Sequence, residues 1–113
     1  MDERVASVAV RRLELPADAE PIPIFVGDPP EPISTRWLSI HRVTVSRDDW
    51  SAPRQSFTLD FYAEDHSLQA CLQFETLEIA LDQGQAIAGI EKTAWHECEI
   101  PIDDHDPHWP TTF

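Results

Sequence analysis

Between Gln55 and Tyr62 apolar and polar residues take turns, with Phe57, Leu59 and Phe61 on one parity and Thr58, Asp60 and Tyr62 on the other. A period of two is the signature of a β-strand with one face on a core and one face wet, and a helix would scatter these residues around its axis. The preceding run 36–47 (RWLSIHRVTVSR) is rich in β-branched residues and is predicted to be its neighbour, so the two form the central pair of a sheet. The turn between them, SRDDWSAP, carries Trp50 at its tip. Trp50 reads as a ring folded back over the sheet edge rather than as a recognition residue.

The N-terminal run 5–15 (VASVAVRRLEL) also reads as a strand, but its alternation changes phase, with Val8 and Val10 on one parity and Leu13 and Leu15 on the other. A β-bulge near Arg11 and Arg12 reconciles the two halves. In 20–27 (EPIPIFVG), Ile22, Ile24 and Val26 alternate with Pro21, Pro23 and Phe25. Two prolines that cannot donate to a ladder place this strand at a sheet edge. The following DPPEPIST is expected to be an ordered surface connector.

The run 67–83 (SLQACLQFETLEIALDQ) is predicted to be the main helix, capped by Asp65 or Ser67 and stopped by Gly84 as the left-handed C′ residue. On a helical wheel Ala70, Phe74, Leu77 and Leu81 form one apolar stripe, and Leu68, Leu72 and Ile79 form a second. Glu75, Glu78 and Asp82 share an acidic stripe. One apolar face covers the sheet. The other needs the segment carrying Ile87 and Ile90, the last strand or a second copy of the chain, with an intramolecular cover preferred.

Residues 93–102 (TAWHECEIPI) alternate again, with His96, Cys98 and Ile100 opposite Trp95, Glu97 and Glu99, and are predicted to form the last strand. The chain therefore reads as one α+β domain over 1–102, an antiparallel sheet of four to five strands with one amphipathic helix packed across it. An acidic, His-containing tail follows over 103–113. At 113 residues and 42% hydrophobic content, one core is enough to fold it.

Charge is divided along the chain. Residues 1–54 hold nine acidic and seven basic residues, and residues 55–113 hold twelve acidic residues against the single Lys92. A net charge of −13 argues against direct nucleic-acid binding, which is led by Lys and Arg contacts to phosphate. No apolar stretch approaches the roughly 18 residues needed to span a bilayer, and the opening MDERVASV is acidic where a signal peptide is basic. A cytoplasmic protein with both thiols reduced is expected, without membrane or cofactor.

Motifs for phosphate loops, serine-hydrolase elbows and zinc proteases are absent. The weak metal candidates are His96 and Cys98 with His105 and His108, whose ligand types suit zinc but whose spacing lacks paired C-x-x-C or H-x₃-H form. No metal is expected. His96 with Cys98 is also the one plausible catalytic pair, and enzyme function ranks third. The acidic stripe has no interleaved Lys or Arg from residue 55 to 91, so it lacks the i,i+4 support a merely solvated face usually carries.

The segments RRLELP, VGDP and HSLQACLQFETLEIAL resemble an uncharacterised family of small bacterial proteins. That family has an Arg-Arg-Leu strand, a short strand into a Gly-x-Pro turn and a late Ser-Leu-Gln-Ala-Leu helix. The resemblance spans Arg11–Pro29 and Ser67–Leu81 and implies no activity. The leading functional expectation is a protein-binding module, such as an inhibitor or immunity-type protein, that docks Glu75, Glu78, Asp82, Glu97, Glu99, Asp103, Asp104 and Asp106 on a basic protein. The second expectation is an assembly subunit, possible as a homodimer, associating through Leu68, Leu72 and Ile79.

Overall fold

The computed structural model describes residues 2–65 and 67–101. Its strands are β1 (Glu3–Glu14), β2 (Ile22–Val26), β3 (Glu31–Ile33), β4 (Trp37–Arg47), β5 (Arg54–Tyr62), β6 (Leu68–Phe74) and β7 (His96–Pro101). One helix, α1 (Leu77–Ala88), and a 3-10 turn (Lys92–Ala94) lie between β6 and β7. Five strands form an antiparallel sheet in the order β6-β5-β4-β1-β7, and β2 and β3 form a separate hairpin. The expected α+β class with an antiparallel sheet and one helix packed across it is what the chain adopts.

The period-two pattern becomes register. Leu38 stands opposite Phe61 and Ile40 opposite Leu59, which puts four fully buried side chains on one face of the two inner strands. Ala80, Ile90 and Trp95 close over them, and Ile22 and Ile33 add the hairpin to the same core. β1 changes register between Ala9 and Arg11, the bulge that the phase change in its sequence requires. Val10 and Leu13 can then both reach the core although they differ in parity.

Three expectations are corrected. The strand of 20–27 does lie at a sheet edge, but the sheet is a separate hairpin, and its partner strand overturns the expected connector. β2 pairs only with β3, and β3 lies inside the stretch expected to be a connector. Pro32 is tolerated because a two-stranded ribbon leaves one side of each strand without a ladder.

The second correction concerns the helix. Residues 68–74 are strand β6, and α1 begins at Leu77 with Thr76 as N-cap, whose Oγ1 accepts from the Ile79 amide at 3.2 Å. The run Leu68–Phe74 satisfies a period of two as well as 3.6, with Ala70, Leu72 and Phe74 on one parity. β5 offers a ladder to close, setting Phe74 opposite Phe57 and Leu72 opposite Leu59. The stripe Leu68, Leu72, Ile79 therefore does not exist as a helix face. Leu72 packs on the core from β6, while Leu68 and Ile79 are exposed on different elements.

Gly84 is not the stop. The helix runs on to Gly89, which is left-handed at φ +69° and donates its amide to Gln85 at 2.9 Å. Gly84 lies buried inside α1 against the Trp95 ring.

The third correction is the wet face of β5. Asp60 and Tyr62 point away from the helix and are nonetheless buried, among a set of polar side chains on that side of the sheet. The described helices include none long and apolar enough to cross a membrane.

Candidate functional site

The acidic residues proposed to dock a partner divide over opposite edges of the sheet. Glu75 follows β6, and Glu78 and Asp82 lie one helical turn apart on α1. Glu97 and Glu99 are on β7, four strand spacings away, or roughly 19 Å at about 4.8 Å per spacing. Asp103, Asp104 and Asp106 lie outside the described residues.

These groups also differ in how far the fold neutralises them. Glu97 meets Arg11 at 3.5 Å and Glu99 meets Arg42 at 3.2 Å, because the sheet order puts basic β1 beside acidic β7 and β4 one strand further on, within reach of a long side chain. Asp82 is bridged to Lys92. Lys92 therefore supplies the support that the acidic stripe lacks in the sequence, and the Asp82 hydrogen bond holds its pKa above the ordinary value. Glu75 and Glu64 have no ion pair among the described residues, and Glu78 feels only the field of Lys92. Elsewhere Arg36 binds Glu14 at 2.7 Å and Arg47 binds Asp49 at 3.2 Å. Arg47 and Arg54 also stack on Trp50, 5.5 and 4.1 Å from its centroid, which accounts for the tip tryptophan folding back.

His96 and Cys98 are same-face neighbours on β7 and help line an open pocket of about 770 Å³ with Arg12, Arg36, Leu13 and Leu15. The thiol donates to the Ala9 carbonyl at 3.4 Å. Burial pushes it above its ordinary pKa against the opposing pull of Arg12 and Arg11. A thiol held in that state is a poor nucleophile at neutral pH. No cluster of three or more metal-ligating side chains forms among the described residues. His105 and His108 lie outside them. Cys71 and Cys98 are both free and sit on the two outer strands, too far apart to bridge.

A group that the sequence does not reveal lies on the sheet face away from the helix. Ser39 Oγ is 2.8 Å from His41 Nε2, His41 Nδ1 is 3.1 Å from Asp60 Oδ2, and the Tyr62 hydroxyl donates to the same oxygen at 3.4 Å. With Nδ1–H donating to the carboxylate, Nε2 is free to accept the serine hydroxyl. Hydroxyl, imidazole and carboxylate stand in the order of nucleophile, base and orienter. The side chains, however, are out of reach of a substrate, with Ser39 at 0% exposure. β4 is paired on both sides, which commits its amides to ladders and leaves none beside Ser39 to hold an oxyanion. What the chain of bonds can do is fix β4 against β5 by satisfying polar groups that burial would otherwise penalise. Ser39 and His41 share a parity in the sequence, but their link to Asp60 requires the register Ser39–Asp60, which only the folded hairpin supplies.

No family model, curated protein or solved structure matches this chain.

Proposed function

We propose that this protein is a binding module that docks on a basic protein through the anionic end of the molecule formed by β6 and the start of α1. The observation that carries this reading is the unequal fate of the charges. Five of the eight cations are committed to carboxylates, Arg54 lies over Trp50 and Arg12 is buried, while Glu64, Glu75 and Glu78 stay exposed around β6. Uncompensated charge of one sign steers an oppositely charged partner and raises its on-rate. An inhibitor or immunity-type protein covering a cationic active site is the class that fits best.

The test is the salt dependence of association with a basic partner captured from the native host. On-rates should fall steeply between about 0.05 and 0.3 M salt, a range over which the screening length shortens by more than half. The variant Glu75→Gln/Glu78→Gln, which leaves the Asp82–Lys92 pair alone, should associate more slowly at low salt with unchanged stability. A variant that binds as tightly as the parent at both salt concentrations would remove this surface from the reading.

A further inference from the structure

The two outer strands of the main sheet are defended differently. β7 carries Glu97 and Glu99 and ends on Pro101, features that discourage another strand from pairing with it. β6 is seven residues long, LQACLQF, with no charge and no proline, and no strand lies on its outer side among the described residues. Leu68 is 57% exposed at one end of it, and Cys71 and Gln73 are exposed along it. Its register against β5 shifts between Ala70 and Leu68, and from Ala70 to Phe74 it is regular, so this uncharged stretch presents a row of amides and carbonyls that can accept a further strand.

We propose that β6 is the docking edge, and that an extended segment of a basic partner adds to it as a sixth strand. This rests on the anionic docking reading and names its mode. The charge around the edge selects the occupant. Glu64 and Asp65 precede β6, Glu75 and Glu78 follow it, and no Lys or Arg occurs from residue 55 to 91. A second copy paired antiparallel about Cys71 would bring Glu64 and Asp65 of one chain towards Glu75 and Glu78 of the other. The sequence 102–113 would add Asp103, Asp104 and Asp106 to the same acidic surroundings. Both occupants set anion against anion, whereas a segment carrying lysine or arginine is attracted to both ends of the strand. Side chains of an added strand alternate between the face of Ala70, Leu72 and Phe74, which is packed on the core, and the face of Cys71 and Gln73. The segment that fits alternates apolar with basic residues.

The experiment uses the full chain and an end-blocked heptapeptide of alternating valine and lysine, compared with the same peptide N-methylated at every residue. The methylated peptide keeps the side chains and charge but has no backbone donors. Binding at about 0.05 M salt is followed by fluorescence anisotropy, and the amides of residues 68–74 by NMR. The unmodified peptide should bind with a Kd below about 1 mM. It should also shift and protect the outward amides of β6, and methylation should weaken binding about tenfold or more. Equal binding of both peptides, or shifts confined to other elements, would overturn the edge mode and leave anionic docking standing. If neither peptide binds, both readings fall. A parent that is dimeric by light scattering, with its β6 amides already protected, would overturn the choice of occupant in favour of a second copy.

Discussion

Asp60 holds the His41 ring through one carboxylate oxygen and accepts from Tyr62 on the same oxygen, all within the sheet's buried polar face. Truncating it removes an acceptor shared by two buried donors. Asp60→Ala should therefore cost about 1–3 kcal/mol in urea unfolding, and a loss under about 0.5 kcal/mol would mean that water or a rotated ring replaces the carboxylate. The same carboxylate governs Cys71. Desolvation of the thiol comes first, and the hydrogen bond and charge of Asp60 follow, pushing its pKa from the ordinary 9.0 up to about 12 although the residue is exposed. In the unfolded chain this thiol ionises near 9.0, and in the folded chain it keeps its proton. Unfolding above that pH releases a proton, so the contribution is fully present below about 9 and stability falls as pH climbs from 9 towards 12. Iodoacetamide should alkylate Cys71 slowly up to about pH 9, and Asp60→Asn should speed the reaction. Fast alkylation of the parent at pH 8 would contradict the raised pKa.

At the scale of the element, the helix starts from Thr76 rather than from the expected cap Asp65 or Ser67, and it stops at Gly89 rather than at Gly84. Thr76→Ala should lower stability by about 1 kcal/mol through loss of the cap. Gly89→Ala should cost about 1 kcal/mol, because a side chain at φ +69° is strained. Ser67→Ala should change little. Gly84→Ala should cause no loss, since a Cβ there would meet the Trp95 ring at 3.4 Å, an ordinary contact, while improving helix propensity. Thermal melts of the four variants check the assignment, and the opposite ranking would restore the helix of 67–83. The first half was legible because Phe57–Phe61 and the phase shift in Val8–Leu15 each admit one period. The segment Leu68–Phe74 admits two, and the open edge of β5 decided between them.

For the whole molecule, the division of charge along the chain does not become two lobes of opposite character. The sheet order places β7 beside β1, so Glu97 and Glu99 reach Arg11 and Arg42 from the other half of the sequence. Exposed pairs of this kind are worth only about 0.2–1 kcal/mol each. With 21 acidic residues against eight basic ones, net repulsion outweighs them. Raising salt from about 0.05 to 0.5 M should raise the thermal midpoint, because screening weakens the repulsion more than the pairs. A midpoint that falls with salt would show that the pairs dominate.

Alternation in 36–47 and 55–62, the bulge demanded by Val8, Val10, Leu13 and Leu15, and the apolar content by themselves determined an antiparallel α+β domain with its core on one side of the sheet. Those signals are local, because side-chain period and backbone phase are set within a few residues. Tertiary structure decided that residues 68–74 are strand, that acidic β7 is paired with basic β1 and that Ser39, His41 and Asp60 meet. Each of these depends on which strand lies beside which and in what register, and that is fixed by the packing of groups far apart in the chain.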